Sequence, residues 1–474
     1  MYVLLAIVLV LVLITLHGFF RVPAPSQTIP LTGQTFPEDF LWATGEDAYQ
    51  HEGGNNHNDW YLWELQDPSP IEHGDRNIKG IGFYRLYEND FGLAKKDNQN
   101  AHRIGIEWSR VEPEPGKYDE KAWAHYEQML RSLKRKDFTV FFNLWHFTMP
   151  IWASELGGFE SPVVMERWEK FVTECARRFG IYVDYWSTMI DAQIYALTGY
   201  ATGDIPPNKQ DIELAIKMYR KMITAHAKAY HIIKEVAALP ADSSHASPQV
   251  GMIYFFFYYQ PQGHILDRFF YHQMDDIFNW QMLDALHTGN IDIGVVGTPT
   301  INDTDESVKG TLDWIGVNYY TRQMISFNPF KPGFIQYTDL DRYPTTDMGW
   351  EIYPEGMYHI CKTIEKRYAG VPICITESGL ADADGDQRPR FIVDHLAWVH
   401  RLIEEDCPVF GFTYWSLTDN WEWAEGFWPK FGLYQVDLET LERTPRPSVK
   451  LYSFIARNNR LPDEKEYDNL MGKE

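Results

Sequence analysis

Residues 409–437 read VFGFTYWSLTDNWEWAEGFWPKFGLYQVD and give the clearest local indication of the fold. The run Val409–Trp415 is apolar, aromatic and β-branched, which is typical of a strand buried in a sheet. Trp, Asp, Asn and Glu side chains follow directly after it. Because ligands of parallel α/β proteins bind beyond the carboxyl ends of the strands, this order predicts a strand that carries one wall of a binding site.

Similar apolar runs recur along the chain, and segments with apolar residues at three- and four-residue steps lie between them. We predict strands over Phe40–Thr44, Ala101–Glu107, Thr139–Trp145, Tyr185–Ile190, Gln249–Phe257, Leu312–Asn318, Pro372–Thr376 and Val409–Trp415. We predict helices over Lys121–Lys136, Val164–Phe179, Ile212–Val236, Pro354–Tyr368 and Arg390–Glu405, and loops over Ala238–Pro248 and Phe327–Asp347.

This alternation indicates an α/β fold, a (β/α)8 TIM barrel in a single domain, with its active site at the carboxyl ends of the strands. The alternative is a doubly wound sheet. It is disfavoured because no G-x-G-x-x-G follows the first strand and because Trp, Glu, Asp, His and Asn cluster just past the strand ends.

The composition limits the partners that the protein can have. With 66 acidic and 43 basic residues the formal net charge is −23, which argues against nucleic acid as a partner. The four cysteines show no C-x-x-C spacing, and neither metal-ligand spacing nor a phosphate loop is present. We therefore predict no metal and no cofactor.

The N-terminal segment predicts an association with membranes. Residues 1–20 are a hydrophobic segment, residues 21–35 a Pro-rich linker, residues 36–457 the barrel and residues 458–474 a polar C-terminal tail. No Lys or Arg precedes the apolar run and no small-x-small cleavage site follows it, which favours an uncleaved anchor over a signal peptide. Secretion after cleavage is the alternative, and the side of the membrane is left open.

Glu377 is a candidate for glycosidic chemistry. Cleavage with retention needs two carboxyl groups about 5–5.5 Å apart, of which one attacks the anomeric carbon and the other protonates the leaving oxygen. Glu377 ends the buried-looking strand ICIT and is followed by the sharp exit Ser378-Gly379. Taken alone, such a glutamate is also explained by a structural ion pair.

Several motifs in a fixed order resolve this ambiguity. They are FLWATGEDAYQHEG, HRIGIEWSRVEPEPGKYD, NLWHFTMPIWASELGGF, DWIGVNYYT, MGWEIYPEGMY, ITESGL and WSLTDNWEWAEGFWPKFGLYQVD. From about Phe36 to Ile455 the chain resembles glycoside hydrolase family 1, a family of retaining β-glucosidases and β-galactosidases on (β/α)8 barrels. The resemblance implies a β-glycoside substrate and requires no cofactor.

The resemblance also implies roles for individual residues. It places the nucleophile at Glu377 and its supporting groups at Arg103, Tyr320 and Asn318. It places the residues that hold the sugar at Gln50, His146, Trp415, Glu422 and Trp423. Amide, imidazole and carboxylate groups bond to sugar hydroxyls, while an indole face covers the apolar side of a pyranose.

The resemblance breaks at the fourth predicted strand, where Ile190-Asp191-Ala192 replaces the family's Asn-Glu-Pro. Asp191 then stands at the acid/base position with a side chain shorter by about 1.5 Å. Ile190 cannot bond to the sugar 2-hydroxyl, although an apolar neighbour raises the pKa of a desolvated acid and helps it to stay protonated. We expect slow or specialised hydrolysis. The alternatives are a transglycosylase and a catalytically impaired sugar- or partner-binding protein.

Glu46 and Asp47 replace the small or hydroxyl residues that the family has just before Gln50. They lie near the carboxyl end of the first predicted strand. We expect them to be solvated or to cap a loop, with a position facing the site as the alternative, and we assign them no role.

Overall fold

The computed structural model describes residues 24–472 except 264, 329, 331–334 and 339–342. The hydrophobic segment 1–20 therefore lies outside the described residues. Within the described part of the chain, no helix is both long and apolar enough to cross a membrane.

Eight parallel strands form a closed barrel, which confirms the predicted fold. Their order around the barrel is β1 (Leu41–Glu46), β2 (Ala101–Gly105), β3 (Thr139–Asn143), β4 (Tyr185–Ile190), β5 (Gln249–Pro261), β8 (Trp314–Phe327), β10 (Ile373–Ser378) and β11 (Val409–Tyr414). The closing pair is β11 with β1, where Leu41 lies opposite Gly411 and Thr44 opposite Tyr414.

The other strands described lie outside this closed ring. They are the hairpin of β6 (Asn290–Ile293) and β7 (Ile301–Thr304), the strand β9 (Ile335–Thr338) and the hairpin of β12 (Tyr434–Val436) and β13 (Arg443–Pro445). Strand β9 pairs antiparallel with the far end of β8. Part of the loop predicted over Phe327–Asp347 is thus a strand, because β5 and β8 both run past the barrel and leave an edge for it to pair with.

Helices surround the barrel. They are Ala48–His51, Asp59–Glu64, Phe83–Lys96, Trp108–Val111, Glu120–Arg135, Ile151–Glu155, Pro162–Phe179, Ala192–Leu197, Ile212–Val236, Ile265–Asp275, Gln281–Thr288, Glu355–Arg367, Arg388–Glu404, Pro447–Asn458 and Glu464–Met471. The long helices bury one apolar face against the sheet, as in Glu120–Arg135, where Trp123, Met129 and Leu133 are buried. Period-2 alternation in the strands separates this outer core from a second core inside the barrel.

The chain enters the described structure through an extended segment, residues 24–36, which we term the N-terminal strap. At its start, Arg322 on the extension of β8 donates a hydrogen bond to the Ala24 carbonyl at 2.8 Å. At its end, the Phe36 N–H donates to the Asn459 carbonyl at 2.9 Å, beside the residues that lead into β1. The strap therefore runs down the outside of the barrel, from the carboxyl ends of the strands to their amino ends.

The C-terminal residues pack against this strap. Helix Glu464–Met471 is capped by Asp463, and Tyr467 is buried. Residues 458–474 were predicted as a polar tail, but a capping box and one buried ring are enough to hold a helix there.

Candidate active site

Glu377 lies at the end of β10 with two donors against its carboxylate. Arg103 Nη2 donates to Oε1 at 2.6 Å, and the Tyr320 hydroxyl donates to Oε2 at 2.7 Å. All three side chains are buried. Burial raises the pKa of Glu377, and the charge of Arg103 opposes that rise. A cation and a hydroxyl donor on the same carboxylate favour the ionised form that an attacking group needs.

Asp191 follows the last residue of β4 and is also buried. Its backbone is left-handed, with φ 54° and ψ 41°, a conformation that aspartate adopts more readily than most residues. Burial raises the pKa of Asp191 well above its usual value, and the nearby charge of Glu377 adds to the rise. The rise favours the protonated form, which is the form that a general acid requires.

Asn318 connects the two carboxyl groups, and here the sequence prediction needs correction. Its Nδ2 faces both oxygens of Asp191, at 3.2 and 3.4 Å, and its Oδ1 accepts from the Thr376 hydroxyl at 2.9 Å. Asn318 was predicted to support the nucleophile, but its amide is directed at the candidate acid. Its backbone lies opposite Glu377 in the β8–β10 ladder, so Asn318 stands beside the nucleophile's strand while its amide reaches toward Asp191 at the end of β4.

The residues on either side of Asp191 have structural positions. Ile190 packs inside the barrel in an apolar cluster with Ala43, Ala101, Phe141, Ile253, Trp314 and Cys374. Ala192 is buried at the start of helix Ala192–Leu197. The altered turn is thus accommodated by apolar packing on both sides of the carboxyl group.

Gln50, Trp415 and Glu422 lie on the same side of the barrel mouth. The Gln50 amide donates to the Trp421 carbonyl at 2.9 Å. Trp415 is buried beside the nucleophile, and the Arg103 guanidinium lies 5.1 Å from the centre of its ring. Burial raises the pKa of Glu422 to about 8, with the charge of Glu377 adding to the rise and a hydrogen bond from the Trp415 side chain opposing it.

His146 and Trp423 form an aromatic wall of the same mouth. Their rings meet nearly edge to face with centroids 4.8 Å apart, and Phe147 lies at the same distance from Trp423. Trp423 is only partly buried, so part of its surface is open to a ligand. The structure therefore gathers the ten side chains predicted from the sequence at one end of the barrel.

Asp47 belongs to this group, contrary to the expectation that it is solvated. Its Oδ2 lies 3.2 Å from Arg103 Nη2 and 3.2 Å from His146 Nδ1, and its Oδ1 accepts from the Asn143 amide at 2.9 Å. The signal was available in the sequence: residue 47 is in phase with Ala43, which faces the barrel interior.

Glu46, one residue earlier, points to the outside of the barrel and pairs with His102. Both side chains of this pair are fully buried, so the expectation of a solvated Glu46 is also wrong. Among the described residues, no cluster of His, Cys, Asp and Glu is arranged to hold a metal ion. The four cysteines are buried free thiols.

A closed parallel barrel with carboxyl, amide and indole groups at its mouth is the architecture of the (β/α)8 glycosidases. A model of the family described as glycosyl hydrolase family 1 matches residues 32–461. The β-galactosidase of Pyrococcus woesei is 32% identical, over 92% of this chain and 100% of its own length. The β-glucosidase A of Thermotoga maritima is 28% identical, over 90% of this chain and 99% of its own.

Solved structures agree. A β-glycosidase from Pyrococcus horikoshii is 34% identical, with a TM-score of 0.82 over 93% of this chain and 99% of that one. A family 1 β-glucosidase from Thermotoga maritima is 26% identical, with a TM-score of 0.82 over 91% of this chain and 100% of that one. The chain belongs to glycosyl hydrolase family 1 and is a glycoside hydrolase.

Proposed function

We propose that the protein is a retaining β-glycosidase of the β-glucosidase and β-galactosidase type. Glu377 attacks the anomeric carbon while Asp191 gives its proton to the leaving oxygen, so that the glycosidic bond breaks and a glycosyl ester forms. Asp191, now ionised, takes a proton from water, and the resulting hydroxide displaces the ester. The substrate type follows the names of the relatives, a β-galactosidase and a β-glucosidase.

The observation that carries this proposal is the asymmetry of the two carboxyl groups. Glu377 accepts from a guanidinium and a hydroxyl, whereas Asp191 faces only the neutral amide of Asn318 among its described side-chain hydrogen bonds. A cation and a hydroxyl donor favour ionisation of Glu377, whereas Asp191 has no cation among these partners, and this difference assigns the nucleophile and the acid. Because the side chain of Asp191 is short, we propose that proton transfer to unactivated glycosides is slow.

The proposal is tested with a 2,4-dinitrophenyl 2-deoxy-2-fluoro-β-glycoside, in gluco and galacto forms. The activated leaving group needs little acid help, so attack by Glu377 proceeds even if Asp191 is a poor donor. We expect a covalent adduct whose labelled peptide contains Glu377, and no adduct in Glu377→Gln. Folded protein that forms no adduct with either sugar would contradict the proposal and favour a sugar-binding protein on the same scaffold.

We also propose that residues 1–20 anchor the protein to a lipid bilayer. Support comes from their apolar sequence and from the course of the N-terminal strap, which begins at the mouth end of the barrel. Only residues 21–23 separate the apolar segment from Ala24. Since three residues span at most about 11 Å, an anchor here would hold the mouth close to the lipid surface.

Two labelled variants test this orientation in full-length protein on neutral vesicles. Phe269 lies on the helix that follows β5, and Ile181 lies at the opposite end, just before β4; both are exposed. The native cysteines are buried, so a fluorophore attaches at Phe269→Cys or at Ile181→Cys. We expect nitroxide lipids to quench the first label and not the second. Equal quenching of the two labels would contradict an orientation with the barrel mouth toward the lipid. Absence of quenching in protein that floats with the vesicles would also contradict it. If a variant that lacks residues 2–20 still binds to the vesicles, the proposed anchor is wrong.

A further inference from the structure

Asp47 places a further buried carboxylate between Arg103 and His146. The same atom of Arg103, Nη2, lies 2.6 Å from Glu377 Oε1 and 3.2 Å from Asp47 Oδ2. On its other side Asp47 lies 3.2 Å from His146 Nδ1. One guanidinium nitrogen therefore serves two carboxylates, and the second of them also fixes an imidazole that lines the sugar site.

The site is built to hold this arrangement. A Cβ added at Gly45 would lie 2.8 Å from Arg103 Nε, and one added at Gly105 would lie 3.4 Å from Asp47 Oδ1. Gly45 thus leaves room that a side chain would deny to the guanidinium, and Gly105 lies in contact distance of the carboxylate. The Asn143 amide donates to Asp47 Oδ1, while Oδ2 lies at ion-pair distance from Arg103 Nη2. Three neighbouring strand ends hold one carboxylate in place.

The two carboxylates respond differently to the shared guanidinium. Burial opposes the ionisation of Asp47, but the charges of Arg103 and His146 outweigh it and hold the pKa of Asp47 well below its usual value. Burial raises the pKa of Glu377, and while Arg103 opposes this, the charge of Asp47 adds to the rise. Asp47 is the ionised partner of Arg103 at neutral pH, and it weakens the hold of Arg103 on the nucleophile.

The reaction itself changes the charge next to Arg103. When Glu377 forms its bond to the anomeric carbon it becomes a neutral ester, and the negative charge moves to Asp191 as its proton leaves with the aglycone. Arg103 is fully buried, and a buried charge that loses its partner is strongly disfavoured. Asp47 stays ionised beside Arg103 through this step.

We propose that Asp47 is the permanent counterion of Arg103: it shares the guanidinium with the nucleophile, remains paired with it when Glu377 becomes an ester, and orients His146 through Nδ1. Asp47 is a positioning residue, because it acts through Arg103 and His146. The inference rests on the proposed function and deepens it.

The rate of labelling by the fluoro glycoside, measured against pH, isolates the ionisation of Glu377, since that step needs no acid. Charged or titratable groups reach Glu377 from several elements: Arg103 on β2, Tyr320 on β8, Asp47 after β1, His146 after β3, Asp191 after β4 and Glu422 after β11. We expect Asp47→Asn to move the midpoint to lower pH by about 1 pH unit or more, since a like charge is removed and Arg103 is released to Glu377.

Glu46→Gln is the matched control. Glu46 is the adjacent residue and is equally buried, but it pairs with His102 outside the barrel. Its substitution should leave the labelling midpoint unchanged, whatever it does to stability. Asp47→Glu keeps the charge and should hold the midpoint nearer to that of the wild type than Asp47→Asn does. The fluoroglycosyl adduct of Asp47→Asn should also hydrolyse several-fold faster than that of the wild type.

An unchanged midpoint in folded Asp47→Asn would overturn the inference, as would an equal shift in Glu46→Gln. If Asp47→Asn does not fold, Asp47→Ser carries the same test: it also removes the charge beside Arg103, so its labelling midpoint should move to lower pH, and an unchanged midpoint would overturn the inference. Absence of labelling in the wild type would instead contradict the proposed function. The two failures are therefore distinguishable.

Discussion

Replacement of Asp191 by glutamate is the most informative change to the site. The longer side chain moves the carboxyl group forward by about 1.5 Å. A general acid acts when it lies within about 2.6–3.2 Å of the leaving oxygen, and it contributes roughly 10²- to 10⁴-fold. If the short side chain of Asp191 forfeits part of this contribution, Asp191→Glu should raise kcat/KM for unactivated glycosides by roughly 10- to 100-fold, or about 1.4–2.8 kcal/mol.

The assay compares two substrates that differ in their need for acid. A methyl glycoside or cellobiose has a poor leaving group, whereas dinitrophenolate leaves a 2,4-dinitrophenyl glycoside without protonation. For the dinitrophenyl glycoside, Asp191→Glu should therefore change kcat/KM by less than about threefold. Asp191→Asn is the matched control, because it keeps the size of the side chain and its contact with the Asn318 amide region but cannot donate as an acid. It should lose kcat/KM only toward the poor leaving group, while its kcat on the dinitrophenyl glycoside also falls because no base activates water for the second step.

The left-handed backbone at residue 191 suits aspartate better than glutamate, so thermal unfolding should be measured alongside the rates. If folded Asp191→Glu is no faster than the wild type on unactivated glycosides, the reasoning is refuted. The turn at Ile190 to Ala192 would then have been rebuilt around the shorter acid.

Three further predictions concern the surroundings of the two carboxyl groups. Tyr320→Phe removes a 2.7 Å hydrogen bond to the Glu377 carboxylate. Because a hydrogen bond to a charged group contributes about 1.5–3 kcal/mol, kcat/KM should fall by roughly 10- to 150-fold. Steady-state kinetics measures the fall, circular dichroism checks folding, and a change of less than threefold would contradict the prediction. The pKa of Glu422 is raised to about 8 from 4.5, so the folded state binds the extra proton and loses stability as pH rises from 4.5 to 8. Glu422→Gln should therefore raise Tm at pH 8 and not at pH 4.5, and an equal effect at both values would count against the raised pKa. Ile190→Asn places an amide among apolar side chains inside the barrel. The free energy of unfolding, measured by urea titration, should fall by about 2–4 kcal/mol. An unchanged free energy would show that the new side chain reaches polar partners.

Much of the fold could be predicted from the sequence because the barrel strands are short, strongly apolar and separated by helical patterns. The strand Tyr185–Ile190 was predicted to the residue. The extensions of β5 and β8 were not, because their outer residues pair with each other and with β9 and so depend on contacts distant in the sequence. Helix Glu464–Met471 was missed because its polar composition conceals a capping box that packs on the strap.

The site was predicted through its motifs, and motifs assign positions without assigning partners. Arg103 and Tyr320 reach Glu377 as expected, whereas the amide of Asn318 turns to Asp191. Asp47 was assigned no role because a carboxylate after a strand is usually solvated, and only the three-dimensional neighbourhood shows Arg103 and His146 beside it.

The central claim is that Asp191 serves as the acid/base partner of a covalent intermediate on Glu377. Chemical rescue of Asp191→Ala tests both halves of the claim with one measurement. On a 2,4-dinitrophenyl β-glycoside the intermediate should form and then accumulate, because no base activates water. Added azide, which needs no base, should raise the turnover rate and give the β-glycosyl azide. No rescue by azide, or an azide product of the α configuration, would contradict the account.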